Sequence, residues 1–156
     1  MRLRVWSGID IAALLAVVMV AASPAAAVAA TPEQAKAFSE RASAHILQVG
    51  EEKAFADFTR RDGGFHDGEL YVFCYDRKGV NMAHGGNPAF VGRNLLHIKD
   101  PDGAEPNNRI VKMGFEHGRG WVDFKWPNPV TIKIQDKSAY VIRTNEVVCG
   151  VGYYKD

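Results

Sequence analysis

The chain has 156 residues, with 19 lysines and arginines against 18 aspartates and glutamates, for a formal net charge of +1. So even a balance, with no basic run, supplies no field for nonspecific binding to nucleic acid and no polybasic stripe for an anionic membrane surface. The two cysteines form no C-x-x-C, and no two of the five histidines stand three or four residues apart, so no metal centre follows from spacing.

The N-terminal segment reads as an export signal. Met1 to Arg4 carries two arginines, Ile11 to Ala22 is apolar, and SPAAAVAA closes on Ala30 with small residues in the A-x-A manner. The apolar run falls short of the ~18 to 20 residues that cross a bilayer. The expectation is therefore a signal peptide over 1–30, cut after Ala29 or Ala30, and a domain over 31–156 in the periplasm or outside the cell; an uncleaved anchor is the alternative. Loss of Arg2, Arg4 and Asp10 leaves the remainder neutral. Export also permits a disulfide between Cys74 and Cys149, which lie in separate apolar runs, worth ~2 to 4 kcal/mol. Two unconnected buried thiols are the other reading.

Thr31, Pro32 and Gln34 form a helix start with a T-x-x-Q capping box, and Ala35, Phe38, Ala42, Ile46 and Val49 recur at helical spacing. Gly50 interrupts, and a second helix is predicted from Glu51 to Arg60. From Gly68 the period becomes two: Leu70, Val72 and Cys74 share one face, Tyr71, Phe73 and Tyr75 the other. Both faces are apolar, as in a strand inside its sheet. Asp76 to Gly79 is a tight turn into a strand over Val80 to Ala83. His84 to Asp102, rich in glycine and proline, reads as an irregular crossover with one helical turn near Leu95 to Ile98. A helix from Pro106 to Glu116 and strands at Gly120–Trp126, Lys137–Arg143 and Val147–Tyr154 complete the chain.

No catalytic motif is present: there is no G-x-S-x-G, no P-loop and no H-E-x-x-H. DPDG at Asp100–Gly103 lacks the further oxygen ligands of a calcium loop and reads as a capped turn. His84 ends a strand where the glycine-rich crossover begins, so its imidazole can serve an anionic ligand or the local structure. In GRGWVDFKWPNP, alternation puts Trp121, Asp123 and Lys125 on one face and Val122, Phe124 and Trp126 on the other. Phe124 fits core packing, whereas Pro127 and Pro129 end the ladder and set Trp126 at the rim of a concavity. Lys137 and Tyr140, in KSAY, are three positions apart and point to opposite faces of a regular strand.

The run DGELYVFCYDRKGVNMAHGGNPAFVGRNLLHIKDPDG, followed by GRGWVDFKWPNP, KSAY and VVCGVGYY, resembles the single Cache domain of type 2, a PAS-like extracytoplasmic sensor module. The resemblance implies an α+β fold in which a long N-terminal helix packs on a five-stranded antiparallel sheet, with a helical crossover above a small-molecule pocket. It implies a ligand set of Tyr71, Phe73, Tyr75, His84, Arg93, Phe124, Trp126, Lys137 and Tyr140, a short organic anion such as a carboxylate as ligand, and neither cofactor nor metal. Phe124 stands where relatives often carry tyrosine. The expected role is a sensor without its own output domain, passing its signal to a membrane receptor or kinase, and a homodimer is open. The alternative is an interaction or structural subunit of a membrane sensor complex with a non-functional pocket.

Overall fold

The computed structural model describes residues 29–155, so the expected export segment lies outside the described residues except for Ala29 and Ala30. Two helices come first, α1 at Pro32–Val49 and α2 at Glu51–Thr59, separated by Gly50 at φ +84°. The predicted capping box forms: Gln34 N–H donates to Thr31 Oγ1 at 3.2 Å, and Thr31 N–H donates to Gln34 Oε1 at 2.8 Å. Strand β1 at His66–Asp67 turns into β2 at Leu70–Asp76, and β3 follows at Asn81–His84. A 3₁₀ turn at Pro88–Phe90 lies in the crossover before α3 at Pro106–His117. The sheet is completed by β4 at Arg119–Pro127, β5 at Ile134–Thr144 and β6 at Val147–Tyr154.

The sheet is antiparallel throughout and has six strands rather than five, in the order β1-β2-β6-β5-β4, with β3 also paired to β2. The additional strand, β1, is two residues long, too short for alternation to reveal. The helical turn of the crossover falls at Pro88–Phe90 and not at Leu95–Ile98, because Asn87 caps it by accepting from the Ala89 N–H at 3.1 Å.

Two cores lie on opposite faces of the sheet. One joins α1 and α2 (Ala35, Ala42, Ile46, Ala54, Phe58) to Leu70, Val72, Cys74, Cys149 and Val151. There Cys74 and Cys149 stand directly opposite each other on β2 and β6 and are joined as a disulfide. Ser39, a polar residue in the apolar stripe of α1, donates its hydroxyl to Tyr140 O at 2.8 Å and accepts from Val151 N at 2.9 Å, tying the helix to the sheet. The other core gathers Tyr71, Phe73, Tyr75, Ile110, Val111, Val122, Phe124 and Val148 beneath α3 and the crossover. Gly114 lets α3 approach β6, since a Cβ there would stand 2.2 Å from Val148 Cγ2.

Candidate ligand-binding site

On the α3 side of the sheet a cavity of about 10 Å³ is lined by Tyr71, Phe73, Tyr75, His84, Asn107, Ile110, Phe124, Trp126 and Lys137. Strand parity builds it: three rings of β2, two of β4 and Lys137 of β5 all project to one face. The space matches one water molecule. Lys137 fills much of it, with Nζ 4.0 Å from the Tyr71 ring centroid and 4.5 Å from that of Tyr154.

Two glycines make room for that lysine and its neighbours. A Cβ on Gly152 would stand 2.5 Å from Lys137 Cε, and one on Gly150 would stand 2.9 Å from Phe73 Cζ. The lysine stem therefore crosses β6 where that strand has no side chains.

Lys137 is 1 % exposed, and the one hydrogen bond of its side chain among the described residues runs from Nζ to Tyr154 Oη at 3.2 Å. No carboxylate lies within ion-pair distance of it among the described residues. Burial pulls its ammonium down from the ordinary 10.5 to about 7, with Glu69 opposing. His84 is pulled down to about 3, first by burial and then by the charge of Lys137, and is neutral near pH 7. Its Nδ1 accepts from the Asn87 N–H at 2.9 Å, so the ring proton resides on Nε2. Rings surround it: Tyr71 at 5.2 Å, Phe90 at 5.1 Å and Phe73 at 6.4 Å. Burial raises the hydroxyls of Tyr71, Tyr75 and Tyr154, which stay protonated as donors. The result is an aromatic box containing one ammonium and several neutral donors.

Seven of the residues expected to form the site come together here: Tyr71, Phe73, Tyr75, His84, Phe124, Trp126 and Lys137. Two do not. Tyr140 projects from the other face of β5, where Trp121 lies 5.1 Å away and Lys36 Nζ 5.5 Å from its ring; three positions from Lys137, it cannot share the cavity without a bulge. Arg93 is exposed on the crossover, where its backbone carbonyl accepts from Asn81 N at 2.9 Å and its backbone N–H donates to Phe90 O at 3.0 Å. Asn107 and Ile110 were not foreseen as lining residues. Asn107 is anchored by donating Nδ2 to Leu95 O at 2.9 Å, and its only sequence signal is an amide on the face of the helix that also carries Ile110.

Tyr154 meets the lysine from outside that lining. Its hydroxyl donates to Pro127 O at 2.7 Å while accepting from Lys137. Beyond it a groove of about 480 Å³ is lined by Ala29, Ala30, Glu69, Asn128, Val130 and Lys155, among others.

The sequence profile of the Single Cache domain 2 family matches residues 25–156. The chain belongs to that family. The Cache domain is 33% identical over 88 residues to the sensor histidine kinase MctS of Rhizobium johnstonii, a match covering 55% of this chain and 19% of that protein. It is 27% identical over 93 residues to the methyl-accepting chemotaxis protein McpP of Pseudomonas putida, 58% of this chain and 17% of that one. The match thus spans less than a fifth of the curated relatives. Among solved structures, a methyl-accepting chemotaxis protein from Vibrio parahaemolyticus superposes with a TM-score of 0.69 at 21% identity, covering 80% of this chain and 88% of that chain. A structure described as a Cache chemosensory domain recognising carboxylic acid superposes with a TM-score of 0.61 at 26% identity, covering 77% and 83%. A periplasmic sensor domain of a chemotaxis protein matches with a TM-score of 0.60 at 25% identity, covering 80% and 90%. The chain is accordingly an extracytoplasmic Cache sensor domain of the kind found in chemoreceptors and sensor kinases.

Proposed function

We propose that this Cache domain senses a small monocarboxylate held against Lys137. The observation that carries the reading is a buried lysine with no carboxylate within ion-pair distance among the described residues. A buried ammonium without a counter-charge is costly, and an incoming carboxylate supplies that charge. The Nε2–H of His84 and the hydroxyls of Tyr71 and Tyr75 are further donors, and Phe73, Phe124 and Trp126 offer apolar walls to a short aliphatic tail. The carboxylic acid recognition described for the similar Cache chemosensory domain supports the same class.

One observation favours the second reading, an interaction subunit whose pocket is unused: at about 10 Å³ the cavity is closed by its own side chains. Under the sensing reading Lys137 gives up Tyr154 and Trp126 moves outward as the acid enters. A thermal-shift titration of the exported protein with acetate and propionate separates the two. Sensing predicts stabilisation that grows with concentration and reaches ~2.7 kcal/mol at a hundredfold excess over Kd. A flat response across short carboxylates, with the fold intact, favours the interaction subunit. The sensed signal would then pass to a membrane receptor or kinase, as in the proteins whose sensor segments this chain resembles.

A further inference from the structure

Glu69, in the turn between β1 and β2, gathers three N–H donors. Its Oε1 accepts from Ala30 N at 3.1 Å and from Tyr154 N at 3.5 Å, and its Oε2 accepts from Asn128 Nδ2 at 3.2 Å. One carboxylate therefore holds the residue that leads into α1, the end of β6 and the loop after β4. Among the described residues no side-chain cation lies within ion-pair distance of it, and the neighbouring Lys155 is engaged with Asp123 at 2.9 Å. A half-buried carboxylate is thus aimed at a backbone nitrogen and has no cation of its own.

That nitrogen belongs to Ala30, and the preceding residues read Ala27-Val28-Ala29, the small-x-small pattern of a signal-peptide cut. Ala29 and Ala30 precede the first helical turn and line the open groove beside Glu69. Hydrolysis there breaks the bond between the Ala29 carbonyl carbon and Ala30 N. Water supplies a hydroxyl to the carbonyl and a proton to the nitrogen, giving a carboxylic acid and an amine; the acid then releases its proton and the amine takes one up, leaving a carboxylate on Ala29 and an α-ammonium on Ala30.

We propose that export cleavage falls after Ala29 and that Glu69 is the receptor for the new N-terminus, pairing with the Ala30 α-ammonium. Cleavage replaces an amide N–H donor 3.1 Å from the carboxylate with a cationic one on the same two atoms, so that both partners of the bond carry charge. Cutting one residue later would remove Ala30 and leave Glu69 without this partner. The pairing does not depend on which ligand the cavity takes. It does reach the cavity, because Tyr154, whose backbone Glu69 holds, receives the Lys137 hydrogen bond through its hydroxyl.

Two measurements on the exported protein decide the matter. Intact mass is expected to give a single N-terminus at Ala30. An NMR titration of the Ala30 methyl resonance is expected to show the amine ionising about one unit above its ordinary value near 8. Asp67, Tyr154 and Lys155 also line the groove and are the other titrating groups facing that amine. Glu69→Gln is expected to return the amine to its ordinary range, as is a form that retains Ala29 at its terminus. Should Glu69→Gln fail to fold, the wild-type titration and the one-residue extension still decide. A terminus at Thr31, retention of residues 1–29, an ordinary amine in the wild type, or an elevated one in Glu69→Gln would each overturn the proposal.

Discussion

The two faces of the sheet are built from alternate residues of the same strands, yet they do different work. On the α1 and α2 face, Leu70, Val72 and Cys74 meet alanines, an isoleucine and a disulfide, and the packing is dry and covalently closed. On the α3 face, Tyr71, Phe73 and Tyr75 meet a lysine, a histidine and an asparagine around a cavity. One face stores stability, while the other accepts an energetic penalty, the burial of a lysine ammonium. A single strand can supply both because its side chains alternate.

The largest effect expected from this contrast is the pH dependence of folding. Lys137 ionises at about 7 in the folded protein against 10.5 ordinarily, so between those values the unfolded chain binds more protons. Stability should therefore rise from pH 7 towards 10.5, by at most roughly 5 kcal/mol for this group. His84, at about 3 against 6.5, acts in the same sense lower down: stability falls as pH drops from 6.5 towards 3. Urea denaturation across pH should show the upper rise in the wild type and lose it in Lys137→Met. Persistence of that rise in the variant would assign it elsewhere.

On the opposite face, replacing both cysteines by alanine opens a link across 75 residues of sequence. The chain-entropy account gives a loss of about 4 kcal/mol, visible as a lower calorimetric Tm. The cavity lies across the sheet, so carboxylate affinity of the folded fraction should change little; a collapse of affinity would mean the faces are not separable.

Gly152→Ala tests the cavity face with one methyl group. Its Cβ would sit 2.5 Å from Lys137 Cε and 3.0 Å from the Ser138 carbonyl oxygen. Overpacking of this kind costs ~1 to 3 kcal/mol. Carboxylate binding should weaken with it, because Lys137 has to move. Smallest of all should be Trp121→Ala: 38% exposed and resting on Tyr140 and Tyr153, this ring lies away from the cavity. We expect a loss below about 1 kcal/mol and unchanged binding in a thermal-shift titration.

Much of the contrast was legible in the sequence wherever regular periodicity decides orientation. Alternation separated Tyr71, Phe73 and Tyr75 from Leu70, Val72 and Cys74, grouped Phe124 with Trp126, and placed Lys137 and Tyr140 on opposite faces. What it could not reveal follows from irregular or long-range geometry. The path of the crossover is set by turns and backbone bonds, so Arg93, plausible as a cation, comes out in solvent. Asn107 is positioned by a bond to the crossover carbonyl of Leu95, a contact without sequence periodicity. Gly150 and Gly152 carry no periodic signal of their own, and their role follows from the room that Phe73 and Lys137 take above them. Glu69 joins residues 39 and 85 positions away, and no local pattern encodes such a meeting.

The central claim is that Lys137 is the counter-charge of a bound carboxylate. Calorimetric titration of the protein with propionate, repeated from pH 7 to pH 9 and with Lys137→Met, tests it most directly. The account predicts binding with proton uptake, an affinity that falls about tenfold per pH unit above the lysine's value of about 7, and no detectable binding in a folded Lys137→Met. Wild-type affinity in that variant, or binding indifferent to pH across this range, would contradict it.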